Sequence, residues 1–514
     1  MSERWDLQHV VVLRGRLPFL AFFWLTRGTS NRSIHPPAFF HPHSAFRISG
    51  IINSMRSNSR LIIAGMRGGC GKTTVTLSVI AGLRSLGCSV SPFKKGPDYI
   101  DAGWLSVAAG VPCYTLDPFL MPQDALLDSF VRHHAHDTAV IEGNRGLHDG
   151  KDAQGSCSTA EVAKLLNCPV LLVVDCTKMT RTAAALVFGC MKFDEAVQVK
   201  GVVLNQISGR RHSSVIRESI ERYCGIPVVG VIPRMMAGEM PERHMGLTPH
   251  QEHGDVARVL DRAEEIAQQY LDMPGILEIA QTGEALRLPE RLRVEGKEFA
   301  TERVRIGVLK DAAFQFYYPE NLEALSRLGA RIVEIDALHA AELPDIHALY
   351  VGGGFPETNA LRLAENKAFR AAVKAAADRG MPIYAECGGL MFLGESLYID
   401  GVRHPMAGVF PLTFAMNARP QAHGYSVALV EGANPFYDAG TRLNGHEFHY
   451  SSTTEFRPAG GISFSFRMER GEGILNGQDG ICYKNVLATY THIHAHGTPQ
   501  WAEGMVRKAN EYHG

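Results

Sequence analysis

Apolar and polar positions alternate along this chain in two successive series. Leu61, Ile62, Ile63, Ala64 and Gly65 form a short apolar, β-branched run of the kind that makes a buried strand. Val75, Val79, Leu83 and Leu86 then recur at helical spacing, and Gly87 supplies a stop. Further strand-like runs follow at 138–143, 169–175, 201–206 and 227–233, separated by segments of helical period. This alternation predicts a doubly wound parallel sheet. Residues 281–303 are polar and charged and read as a linker. A second α/β series begins at 304–309 and continues through runs at 331–336, 348–354, 382–387 and 486–492. No repeat relates the two halves, and no low-complexity tract interrupts them.

Composition adds limits. A chain of 514 residues has material for two or three domains, and 45% hydrophobic with 20% charged residues is ordinary for a globular protein. The net charge of −1 gives no support to nucleic acid or membrane binding. Ten cysteines without a C-x-x-C pair argue against zinc and against a secreted disulfide framework, and fit a reducing cytoplasm. Residues 1–55 differ, being aperiodic and rich in Arg, His, Pro and Phe. They read as a disordered or mis-called extension with Met55 as the start, the alternative being a targeting segment. The expected organisation is an extension over 1–55, a first domain over 56–280, a linker over 281–303 and a second domain over 304–514.

The stretch "GMRGGCGKTT" (65–74) follows the first strand and opens the first helix, the context a phosphate-binding loop requires. Gly68, Gly69 and Gly71 allow several backbone N–H groups to face oxyanions. Lys72 is placed to reach the β- and γ-phosphates of ATP, and the Thr73 hydroxyl to ligate Mg²⁺. Gly69, Gly71, Lys72, Thr73 and Thr74 are the expected nucleotide-binding positions. The first glycine lies one place earlier than the standard spacing, as it does in the dethiobiotin-synthetase and MinD-like branch of P-loop proteins. Arg67 stands where MinD-like ATPases carry a signature lysine, so a MinD-like ATPase switch is a competing reading. An ordinary glycine turn is the plainer alternative, and the flanking strand and helix weigh against it.

A second signal lies in "PIYAECGGLMFLG" (382–394). A strand ending at Cys387, with two glycines after it, has the pattern of a nucleophile elbow, with the sulfur at a helix N-terminus that favours the thiolate. "ATYTHIHAHG" offers His492, His494 and His496 as bases, with His492 at the end of a strand. Glycines in "YVGGGFPE" (350–357) could supply N–H groups to an oxyanion. The alternative for Cys387 is a packed structural thiol.

Taken together these segments resemble the cobyrinate a,c-diamide synthase family, from residue 59 to nearly the end. The resemblance rests on "GKTT", "FKKGPDYIDAG", "VIEGNRGLHDG", "STAEVAKLL", "PERHMGL", "YVGGGFPE", "AECGGLMFLG", "GHEFHYS" and "ATYTHIHAHG", in that order. It implies a dethiobiotin-synthetase-like ATP-dependent amidoligase domain followed by a class I glutamine amidotransferase domain. Cys387 would attack the side-chain amide of L-glutamine with His492 as base. The released ammonia would displace phosphate from a phosphorylated carboxylate of a tetrapyrrole polycarboxylate. Thr73 and Glu142 would be the Mg²⁺ ligands. Lys95, Asp98, Tyr99, Asp101 and Asp149 would handle substrate, and Asn205 would read adenine. Without the family, Asp98 and Asp101 would read as a capped turn, and Asn205 as a strand-end turn.

Glutaminases of this class with a full triad carry an acid two residues after the base. Here that place is His494, which leaves the orientation of His492 unexplained. The segments "EGNRGLHDGKDAQGSCSTAE" and "HIHAHGTPQWA" look more like relatives associated with dissimilatory sulfite reductase, which are thought to amidate sirohaem. A third branch acts on nickel-sirohydrochlorin. A homodimer is possible. The remaining competitor is a scaffold with one inactive domain.

Overall fold

The computed structural model describes residues 59–235, 242–243, 246–247, 249–252, 254–286, 300–458 and 460–514. The extension over 1–55, the Met55 start, most of the linker and three residues of "PERHMGL" (241, 244 and 245) lie outside these residues.

The first series forms a seven-stranded parallel sheet: β1 (Arg60–Gly65), β2 (Val90–Lys95), β3 (Tyr114–Leu116), β4 (Thr138–Gly146), β5 (Val170–Asp175), β6 (Val199–Ile207) and β7 (Val228–Pro233). The strand order is β3-β2-β4-β1-β5-β6-β7. Leu61, Ile62 and Ile63 are fully buried, because helices cover both faces and a central parallel strand has no solvent side. Helix α1 (Lys72–Ser85) follows β1, and α2 (Tyr99–Ala109) follows β2. Val75, Val79 and Leu83 are buried as their spacing predicts. Leu86 is 53% exposed, because the helix ends at Ser85 before the stripe completes another turn.

The second series builds a ten-stranded sheet. Its parallel half runs Ala330–Ile335, Val304–Leu309, Ala348–Val351, Ile383–Glu386 and Val486–Thr489. An antiparallel half continues it and ends with Arg442–His449 and His492–Ile493. The single strand expected over 486–492 is broken after Thr489. The buried Asp479 carboxylate accepts the N–H groups of Tyr490 and Thr491, which peels the chain away from its neighbour. His492 then pairs with His446 on the antiparallel edge.

The two α/β halves meet through buried polar contacts. The Thr115 N–H donates to Glu320 Oε1 at 2.8 Å, and the Tyr114 hydroxyl donates to Glu323 Oε1 at 2.8 Å. Among the described residues no helix is long and apolar enough to cross a membrane.

Candidate active site

The phosphate-binding loop leaves the C-terminal end of β1 and turns directly into α1. Gly69 and Gly71 have φ of 68° and 92°, in the left-handed region that favours glycine. A Cβ on Gly71 would collide with the Asn205 amide. Asn205 comes from the end of β6; its Nδ2 donates to Cys70 O at 2.9 Å, and its Oδ1 accepts the Gln206 N–H. Both ends of this amide are thus engaged within the protein, where they brace the loop. Lys72 is buried, with Nζ 3.3 Å from Arg67 O. Arg67 pairs with Asp175 at the end of β5 at 2.5 Å, in its own chain.

Beneath the loop lies a cluster of carboxylates. Lys94 and Glu142 are register partners on β2 and β4. The Lys94 ammonium is buried, 2.8 Å from Glu142 Oε1, 2.7 Å from Asp101 Oδ2 and 3.9 Å from Asp98 Oδ2. Thr73, the second residue of α1, donates its hydroxyl to Glu142 Oε1 at 2.9 Å. Asp98 caps α2 by accepting the N–H groups of Ile100 and Asp101. Burial opposes the charge on Lys94, but the three carboxylates hold its pKa well above the ordinary value. Burial raises Glu142 to about 7, against the pull of Lys94. Three acids around one ammonium leave an excess of negative charge that a divalent cation would neutralise. Among the described residues nothing bonds Glu142 Oε2, a buried oxygen beside the Thr73 hydroxyl. These two groups fit Mg²⁺, a hard cation that takes one or two protein oxygens and completes its shell with phosphate and water.

Lys95, one residue on, points to the other side of the strand. Its Nζ lies 3.6 Å from Asp117 Oδ2 and 3.3 Å from the Tyr425 hydroxyl of the second half, which itself donates to Asp117 at 2.7 Å. Asp149 accepts the Gly146 N–H at 2.8 Å.

In the second half, Glu386 pairs with Thr489 across parallel strands, so the segments carrying Cys387 and His492 leave the same sheet end. Cys387 has φ of 46°, an uncommon value for a non-glycine residue and one that marks the strained turn of an elbow. Its environment differs from the expectation of a favoured thiolate. Burial, with Glu357, Glu386 and Glu447 nearby, pushes the thiol up, and the Gly388 N–H offsets only part of this. The following helix, Gly388–Leu393, is six residues long.

His492 explains itself once placed. Its Nδ1 lies 3.4 Å from Glu386 Oε2, and Glu386 is fully buried. Its other edge packs on the glycine turn: a Cβ on Gly353 would lie 2.5 Å from Cε1 and 3.3 Å from Nε2. The same turn brings Gly354 N within 3.0 Å of where a Cβ on Gly388 would sit. His446 stacks on the imidazole, with ring centroids 4.8 Å apart. With a proton on Nδ1 facing Glu386, Nε2 is left as the basic nitrogen. His494 faces elsewhere: it is fully buried, with Nε2 3.6 Å from Glu320 at the contact between the halves.

One cavity of about 780 Å³ runs from Gly69 of the phosphate-binding loop to Cys387 and His492. Gly69, Lys95, Asp98, Asp149, Cys387 and His492 all line it. Lys72, Thr73, Asp101, Glu142 and Asn205 do not line it.

Two family models match the chain: a CobQ/CobB/MinD/ParA nucleotide binding domain over residues 61–247 and a CobB/CobQ-like glutamine amidotransferase domain over 305–500. The cobyrinate a,c-diamide synthase of Magnetococcus marinus is 40% identical over 452 residues, covering 87% of this chain and 96% of its own. The enzyme of the same name from Archaeoglobus fulgidus is 40% identical, covering 88% and 97%. That of Listeria innocua is 36% identical, covering 86% and 97%. The chain belongs to the cobyrinate a,c-diamide synthase family. With a nucleotide-binding and a glutamine amidotransferase domain in one chain, it is a glutamine-dependent ligase.

Within this synthase family chain, two site residues escape sequence reasoning. Lys94, not only Lys95, is charged and central; its pairing with Glu142 depends on a strand register that the sequence does not show. Glu386 reads as one residue of a strand ending at Cys387, and only the return of His492 to the same edge gives it a partner.

Proposed function

We propose that the chain amidates the a and c acetate carboxylates of cobyrinate, using ATP and glutamine. The observation that carries this reading is the single cavity with Gly69 of the phosphate-binding loop on one wall and Cys387 on another. Nε2 of His492 takes the Cys387 proton as the sulfur attacks the glutamine side-chain amide. The Gly354 N–H, beside the Gly388 turn, is offered to the developing oxyanion, and His492 returns the proton to departing ammonia. Water then hydrolyses the glutamyl thioester. At the other end, a substrate carboxylate attacks the γ-phosphate of ATP, with Lys72 and the loop N–H groups stabilising the transferred charge. Ammonia adds to the acyl phosphate and phosphate leaves. Thr73 and Glu142 would hold Mg²⁺, which when bound neutralises phosphate charge.

Lys95, Asp98, Tyr99, Asp101 and Asp149 are the proposed substrate side, and Asn205 supports the nucleotide loop. Incubation with cobyrinate, ATP and glutamine should give two successive small mass decreases by mass spectrometry. An unchanged mass on cobyrinate would remove that substrate.

Sirohaem is the second reading. Asn144, Arg145, Lys151 and Cys157 line the cavity, so the segment that looks like the sulfite-reductase-associated relatives is itself part of the wall. Running sirohaem and nickel-sirohydrochlorin in parallel decides among the three. Ten free cysteines support a cytoplasmic location. The helix Thr182–Phe193 exposes Leu186, Phe188 and Phe193, which supports a homodimer that sedimentation would test.

A further inference from the structure

We propose that the Tyr99 hydroxyl, carried by the nucleotide-binding half, positions His492, so that the glutaminase base is complete only when that half is docked. This rests on the reading of His492 as the base.

The Tyr99 hydroxyl lies 3.5 Å from His492 Nδ1, the nitrogen that also faces Glu386 at 3.4 Å. A neutral imidazole has one N–H. Placed on Nδ1, it points toward two oxygens, one from each half of the protein, and Nε2 is left free beside Gly353 and the cavity. Either oxygen alone leaves the ring a rotational freedom that the pair removes. The geometry of the tyrosine is itself fixed. Its ring stacks on Phe316 with centroids 5.0 Å apart and planes 5° apart, and packs on Tyr318 at 4.6 Å. The Phe316 N–H donates to Gly353 O, so the surface that holds Tyr99 also holds the turn against which His492 rests.

The other end of this arrangement is the carboxylate cluster. Tyr99 is the first residue of α2, between the cap Asp98 and Asp101. Asp101 bonds Lys94, Lys94 bonds Glu142, and Glu142 takes the Thr73 hydroxyl from the first turn of α1. A rigid first turn therefore carries the cluster on one side and the contact to His492 on the other. In the proposed role Tyr99 is a positioning residue: it acts on glutamine through His492.

The test is glutamine hydrolysis by the full chain, without ATP or tetrapyrrole, for wild type, Y99F, Y99A and C387S. Y99F keeps the stacked ring and loses one hydrogen bond. We expect its kcat to fall about tenfold, the worth of one such bond, with KM for glutamine little changed. The charged and titratable groups around the imidazole include Glu386, Tyr99, His446 and His449, with Tyr350 bonded to Glu386, Tyr318 packed on Tyr99, and Cys387 on the same cavity wall. With the hydroxyl oxygen gone from Nδ1–H, the imidazolium is less stabilised, and the acid limb of the pH profile moves to lower pH. Similar losses in Y99F and Y99A assign the effect to the hydroxyl. Wild-type kcat and pH profile in Y99F, whether or not Y99A is impaired, would overturn the proposal while leaving the glutaminase reading intact. Equal hydrolysis by wild type and C387S would instead remove the glutaminase reading itself.

Discussion

Glu386 stands immediately before Cys387, and its Oε2 lies 3.4 Å from Nδ1 of His492. A buried acid therefore faces His492 from the strand that ends before Cys387, where the C-terminal motif has none. Its second oxygen accepts the Ile493 N–H at 3.3 Å, and the Tyr350 hydroxyl donates to Oε2 at 3.1 Å. In E386Q the carboxamide can turn its NH₂ toward Nδ1 and favour the wrong tautomer. Glutamine-dependent amidation should fall about 10²-fold or more, while ammonia-dependent amidation continues. Equal rates of E386Q and wild type with glutamine would exclude the orienting role.

Lys72→Ala should abolish amidation with glutamine and with ammonia alike, since both routes need the phosphorylated carboxylate. Glutamine hydrolysis should persist, because its groups belong to the other half. Product formed by K72A from either nitrogen source would count against the acyl phosphate.

Cys387→Ser should lose glutamine-dependent amidation by orders of magnitude, since a hydroxyl is far less acidic than a thiol. Concentrated ammonium salt at mildly alkaline pH should restore product. His492→Ala should show the same division. A parallel loss with both nitrogen sources in a folded C387S protein would sink the two-centre reading.

His494→Ala separates chemistry from docking. Its imidazole lies 3.6 Å from Glu320, whose carboxylate also accepts the Thr115 N–H of the other half. The variant should melt at a lower temperature, because a fully buried ring is removed from the contact and the Glu320 carboxylate loses a neighbouring imidazole. Its loss in glutaminase kcat should be smaller than that of H492A. A catalytic loss equal to that of H492A would reassign the base.

Glu142 links pH to the cation. Burial raises its pKa from 4.5 to about 7. The folded protein therefore holds a proton that the unfolded chain releases. This favours folding below about 4.5, and the advantage is lost as pH rises through about 7. Without a cation, E142Q should melt above wild type at pH 8, and the difference should close toward pH 5. Mg²⁺ with ATP should raise the wild-type melting temperature more at pH 8 than at pH 6. A Mg²⁺ effect independent of pH, or retained in E142Q, would remove Glu142 from the metal site.

The buried parallel strands β1 and β4 to β7, the parallel strands of the second half, the phosphate-binding loop and Cys387 were legible because each is written in a local run: β-branched residues, glycine spacing, a strand stopped by two glycines; β2, β3 and the antiparallel strands between Ser396 and Tyr483 were not. What was not legible depends on register. Lys94 and Lys95 are indistinguishable in sequence, and only the pairing of β2 with β4 sets one beside Glu142 and turns the other toward Tyr425. Glu386 gains its meaning from a histidine more than a hundred residues away. The surroundings of Cys387 were hidden for a related reason. A helix N-terminus is visible in sequence, but the burial and the three glutamates that oppose it are not.

The contact of Lys95 with Asp117 and Tyr425 bears on how such chains could be recombined. A buried ammonium and a buried carboxylate share a tyrosine that the other half owns, and beside them Glu320 completes the hydrogen bonding of Thr115. A glutaminase half borrowed from a different protein would meet that surface with neither the tyrosine nor the glutamate in register. It would bury a charge pair short of its third member and an amide with no acceptor. Exchange of halves between lineages is therefore penalised at the seam before it is tested at either centre, and the seam's own residues would have to travel with the graft.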